Sequence, residues 1–111
     1  MEHEPSRAEV DGMPGATVLE FGAGWRPICQ SARPIIDGEL DAHPGVRYLR
    51  IEDGKGKPLG RSFRVKLWPT LVFLRDGMEV ARVVRPGAAS ELAVAFERLH
   101  ASLDRAASPR K

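Results

Sequence analysis

An α/β sandwich with the element order βαβαββα is the fold this sequence predicts, and three observations predict it. The run ATVLEF, residues 16–21, is too apolar to be half exposed, as expected of a central strand covered on both faces. Beyond Pro27, apolar side chains recur at helical spacing. Further on, PTLVFL from Pro69 is joined to MEVARVV by Asp76-Gly77, the signature of a β-hairpin. A βαβ start requires parallel strands with a right-handed crossover, and the hairpin adds antiparallel ones. The result is a central mixed sheet whose two faces both need helices.

The first strand is followed by a break at Gly22-Ala23-Gly24, then by Ile28, Ala32, Ile35, Ile36 and Leu40, one apolar stripe of an amphipathic helix. Pro27 suits the first turn, where its missing N–H costs nothing. Pro34 removes a hydrogen bond inside the helix, but the apolar period resumes beyond it, so a kink is expected rather than a stop. VRYLRIE, 46–52, reads as a second strand, and after a glycine-rich loop Leu59, Phe63 and Val65 support a short helix. The hairpin strands follow. Ser90 is a plausible N-cap with Glu91 in the first turn, and Leu92, Ala95, Phe96, Leu99 and Leu103 form the stripe of a terminal helix. Residues 1–15 and 104–111 lack a sustained apolar period and are expected to be flexible segments flanking one domain, 16–103.

A chain of 111 residues with 42% hydrophobic content suits a single core. The net charge of +2 is small and the two signs alternate along the chain, so no run tracks a phosphate backbone and a nucleic-acid partner is not expected. No apolar stretch reaches membrane-spanning length and the opening residues are polar, which gives the expectation of a cytoplasmic protein without membrane association. One cysteine excludes an intramolecular disulfide. His3, His43 and His100 are spaced too irregularly to suggest a shared metal, and no cofactor is implied.

The chemistry concentrates in FGAGWRPICQ, where Trp25 precedes Cys29 at a helix entry. Trp25 and Cys29, Pro34 within the helix, WPT at Trp68-Pro69 before the hairpin, and PGA at Pro86-Gly87-Ala88 together resemble the thioredoxin family over residues 16 to 103. The resemblance implies a thioredoxin-like fold and a protein of thiol-disulfide context. It makes Pro69 a cis-proline and Trp25, Arg26, Trp68, Pro69, Gly87 and Ala88 the border of a groove for an extended peptide. Cys29 would hold the resolving position, whereas Arg26 stands where the family has its nucleophilic cysteine, giving a degenerate Trp-Arg-Pro-Ile-Cys motif.

One sulfur cannot both attack a disulfide and resolve the mixed disulfide that results. The chain is therefore at most a monothiol catalyst through Cys29, released by an external thiol. The alternative is a non-catalytic binding or chaperone-like module that uses the groove. Either way the expected partner is a protein or peptide, held in the first case by a mixed disulfide. Cys29 reads equally as a small buried hydrophobe, Arg26 as a surface residue, and both tryptophans as packing. A cation at a helix N-terminus costs about 0.3 to 1 kcal/mol, so Arg26 needs local compensation, for which Glu20 is one candidate. Glu20 interrupts an apolar strand and needs a partner. Either it pairs with Arg47, Arg50 or another base, or, as the resemblance implies, it assists proton transfer at Cys29.

Overall fold

The computed structural model describes residues 4–24 and 26–107, the side chains from 103 onward excepted. Its elements are α1 (Arg7–Asp11), β1 (Ala16–Gly22), α2 (Pro27–Asp41), β2 (Arg47–Glu52), α3 (Pro58–Ser62), β3 (Thr70–Arg75), β4 (Met78–Val84) and α4 (Ala89–Ala107). The sheet order is β2-β1-β3-β4. β1 runs parallel to β2 and antiparallel to β3, and β3 pairs antiparallel with β4, which is the mixed sheet expected.

Alternation along β1 divides its side chains between two cores. Val18 faces α2 and α4, packing with Ala32, Ile36, Phe73, Leu92 and Phe96. Leu19 and Phe21 face α1 and α3, packing with Val10, Leu59, Phe63 and Val72. α2 continues through Pro34 without a break. Its buried side chains are Cys29, Ala32 and Ile36, whereas Ile28, expected on the apolar stripe, is 39% exposed. Cys29 takes the place of Ile28 at the start of the stripe, which otherwise keeps Ala32 and Ile36.

The opening segment, expected to be flexible, carries α1 instead. Ser6 and Glu9 form a reciprocal capping box, and Val10 is fully buried in the second core. The Arg7 guanidinium lies 3.8 Å from the centroid of the Phe63 ring and donates to the Ser62 carbonyl at 2.8 Å. Five residues with one inward apolar side chain have no readable period; the capping box was the available signal. The hairpin turn fastens this segment. Gly15 N–H donates to Asp76 Oδ1 at 2.7 Å and Asp76 N–H donates to the Gly15 carbonyl at 2.9 Å. Gly77 has φ +83, and a Cβ there would fall 2.1 Å from the Asp11 carbonyl oxygen, so only glycine fits.

The other end is corrected as well. α4 begins at Ala89 rather than after Ser90, with Glu91 Oε1 accepting from Gly87 N–H at 3.1 Å, and it runs to Ala107, past the expected boundary at 103. Once nucleated, a helix propagates through alanine and charged residues without needing an apolar face. Residues 108–111 and the Leu103 side chain lie outside the described residues. Folding also joins two histidines that sequence spacing left apart. His43 and His100 share a hydrogen bond of 3.1 Å, and the His43 ring stacks on Phe96 at 3.9 Å between centroids.

Candidate functional site

The site forms where β1 ends and α2 begins. Arg26 is the N-cap residue, with extended backbone angles and no side-chain capping bond; its carbonyl accepts from Cys29 and Gln30 N–H, both at 3.1 Å. Pro27 fills the first helical position as expected. Cys29, in the third, is only 6% exposed. A Cβ built on Gly22 would lie 3.3 Å from Cys29 Sγ and 4.0 Å from Pro69 Cβ, so both residues adjoin Gly22.

The Trp68–Pro69 bond is cis. Trp68 is held at three places. Its Nε1–H donates to Asp53 Oδ2 at 2.9 Å, its carbonyl accepts from Arg85 Nε–H at 3.0 Å, and its ring lies beneath the Arg26 guanidinium, 4.9 Å from the centroid. The aromatic face, rather than Glu20, supplies negative potential to a cation placed at the positive end of a helix. Pro69 is buried, and its carbonyl accepts from Arg85 N–H at 2.8 Å. Gly87 and Ala88 are exposed in the turn after Arg85, on the sheet end that carries Pro69. Trp25 lies outside the described residues.

Glu20 is buried, at 3% exposure, and faces α2 on the same side of β1 as Val18. Its partner is Arg33, a residue that sequence reasoning did not single out. Arg33 Nη1–H donates to Glu20 Oε2 at 2.8 Å and Nη2–H to Oε1 at 3.0 Å, a two-pronged pair. Tyr48 O–H donates to Glu20 Oε1 and accepts from Arg33 Nη2–H at 2.9 Å, and Arg33 Nε–H reaches Asp37 at 3.0 Å. Arg47 instead bonds the Pro14 carbonyl and Thr17 Oγ1, at 2.9 and 3.0 Å. Burial works against the Arg33 charge, but its hydrogen bonds to Glu20 and Asp37 outweigh that and hold its pKa above the usual guanidinium value.

The Tyr48 phenol is raised by burial first, then by its hydrogen bond to Glu20. A raised phenol pKa contributes stability that is complete below the unfolded pKa near 10 and is lost as the pH rises through the folded one. Tyr48 is the only tyrosine in the chain, so phenolate absorbance reports it alone. Its midpoint is expected above that of the urea-unfolded protein, with part of the difference removed in Glu20→Gln. Coincident folded and unfolded titrations would contradict this.

Glu20 and Cys29 border one cleft of about 850 Å³ with Gly22, Tyr48 and Ile51, so the two sequence candidates are brought to the same region. Both Glu20 oxygens nevertheless accept hydrogen bonds from Arg33 and Tyr48, which commits the carboxylate to the ion pair. Among the described residues, no three metal-ligating side chains cluster and no helix is long and apolar enough to cross a membrane.

Comparison with known proteins places these features in context. A family model described as Thioredoxin matches residues 2–98. The chain is 35% identical over 67 residues to thioredoxin H-type 1 of Nicotiana tabacum, covering 60% of this chain and 53% of that protein. It is 31% identical over 70 residues to thioredoxin of Chlamydia pneumoniae, covering 63% of this chain and 69% of that protein. The chain thus spans about half the length of the tobacco relative. Thioredoxin 2 from Pseudomonas aeruginosa PAO1, solved in its reduced form, superposes with a TM-score of 0.80 at 55% identity, covering 89% of this chain and 92% of that one.

Proposed function

The chain belongs to the thioredoxin family, and from that premise we propose that it is a member without dithiol turnover, acting in a thiol-redox context by binding an extended segment of a protein partner at Arg26, Trp68 and Pro69. The burial of Cys29 beneath the helix entry, with Arg26 at the exposed position before it, carries this reading. Dithiol exchange needs an exposed thiolate to attack and a second thiol to resolve. This chain has a single thiol, and it is buried beside Gly22. What remains is the surface at the helix entry, where Arg26 lies over Trp68, whose carbonyl, indole N–H and ring face are all engaged. Such a rigid, pre-ordered aromatic suits an anchor site. A second reading draws on the cleft that Cys29 borders. Entering from that side, a disulfide R–S–S–R′ would be attacked by the Cys29 thiolate, giving Cys29–S–S–R and R′–S⁻, and an external thiol such as glutathione would be required to release R.

Reaction with Ellman's reagent tests the central point. In the folded protein Cys29 is expected to react at least about a hundredfold more slowly than in urea, because its sulfur is shielded. A folded-state rate equal to that of the unfolded chain would overturn the binding reading in favour of single-thiol exchange.

A further inference from the structure

Between Asp53 and Trp68 the sequence places Lys55, Lys57, Arg61, Arg64 and Lys66 against one carboxylate, although the whole chain carries only +2. In linear order these charges look dispersed. The fold gathers Lys57, Arg61, Arg64 and Lys66 around a cavity of about 380 Å³ that Trp68 also lines, the same residue whose ring underlies Arg26. Asp53, at the cavity's edge, directs its carboxylate to Trp68 Nε1–H. Among the described residues, none of the four cations has a carboxylate within ion-pair distance. Arg7, Arg33 and Arg82 are paired, with Asp11, with Glu20 and Asp37, and with Glu79, whereas Arg47 and Arg85 bond backbone carbonyls.

The backbone adds an independent observation. Arg64 has φ +59 and Arg85 φ +50, both in the left-handed region, and Arg85 also touches Trp68. Arg64 follows α3 in a Schellman turn, with Arg64 N–H to the Arg61 carbonyl at 3.0 Å and Val65 N–H to the Gly60 carbonyl at 2.9 Å. Glycine is the residue this position favours. The chain instead bears a long cation there, at a conformational cost that a ligand contact would justify.

We propose that this basic cavity, which shares Trp68 with the surface around Arg26, receives acidic side chains of the partner segment, so that the protein selects an extended acidic peptide. The proposal rests on the binding reading above and names the partner's chemistry. A peptide fits better than a nucleic acid because the cations ring one small cavity beside a tryptophan rather than forming a line along a phosphate backbone. Exposed Ile28 and Leu67 lie close in sequence to Arg26 and Trp68 and offer apolar contacts to a segment laid across that surface.

Fluorescence anisotropy with labelled peptides of about ten residues tests this, comparing a glutamate- and leucine-rich sequence with serine- and lysine-substituted versions. The acidic peptide is expected to bind at least about tenfold more tightly than the serine version, and to weaken as salt is raised. Reversing two exposed charges, in Arg61→Glu with Lys66→Glu, should abolish that preference. Arg64→Gly should weaken the acidic peptide while raising resistance to urea, a combination that a purely structural arginine would not give. If the serine peptide binds and the acidic one gains nothing, the acidic selection is overturned and the groove reading stands. If no peptide binds, both fall. Tighter binding of a single-stranded oligonucleotide of equal charge would overturn the proposal in favour of a nucleic-acid partner.

Discussion

Arg26→Cys is expected to give this protein insulin-reducing activity at least about a hundredfold above the wild type, which should show no turnover over the chemical reductant alone. The reason is geometric. Residue 26 is the exposed N-cap of α2 and Cys29 lies in its first turn, so the substitution creates a Cys-Pro-Ile-Cys pair across one helical turn, at the positive end of the helix. The new thiol attacks from the exposed position, and Cys29 resolves from the buried one. Intramolecular attack enjoys effective concentrations far above those of any free thiol, which makes a hundredfold gain conservative. Cys29→Ser in the wild type should change nothing measurable. Activity in the wild type comparable to a dithiol thioredoxin would refute the loss of turnover. An inert Arg26→Cys would mean that the surroundings, including the stacking surface on Trp68, no longer support exchange.

Arg33→Leu is expected to cost about 3 kcal/mol of folding stability, read as a drop in the urea midpoint at unchanged slope. The guanidinium satisfies both oxygens of a carboxylate that has almost no solvent contact, and removing it leaves a buried charge with only Tyr48 as donor. Glu20→Leu should also destabilise, by leaving Arg33 and Tyr48 without their acceptor. The double substitution should cost less than the two single costs added together, because a buried pair replaced by apolar side chains loses its desolvation penalty along with its attraction. Single changes that each cost under about 1 kcal/mol would show that the pair is not a major support of the fold.

That both faces of the sheet are covered was legible because apolar periodicity records which faces are buried, whereas the single core expected from chain length is in fact divided in two by the sheet. The need for a partner at Glu20 was legible for the same reason, since an acid in an apolar strand cannot stay uncompensated. The identity of that partner was not. Arg33 reaches Glu20 from another layer, and on its own helix it looks like an ordinary surface arginine with Asp37 one turn on. The stacking of Arg26 on Trp68 joins residues distant in sequence, and no local pattern encodes it. The basic cavity was partly legible: from Lys55 to Lys66 the chain carries five cations and no carboxylate, a local run that the small overall charge conceals and that the expectation of alternating signs passed over. α1 too was missed despite a local signal, the Ser6–Glu9 capping box, because a single inward valine left no period to find.

The position of β1 has a consequence for synthesis on the ribosome. β1 emerges early, yet its antiparallel neighbour, β3, begins at Thr70, and the α2-facing core is completed by Leu92, Ala95, Phe96 and Leu99 of α4. The nascent chain therefore carries Val18, Leu19 and Phe21 without their full cover until β3 and α4 have been made, and contacts so distant in sequence form slowly. Arg33, Tyr48 and Glu20, by contrast, are all available once β2 has left the tunnel. The buried ion pair can thus align β1, α2 and β2 while the apolar faces still await their cover, giving the emerging polypeptide a polar clasp before it has a core.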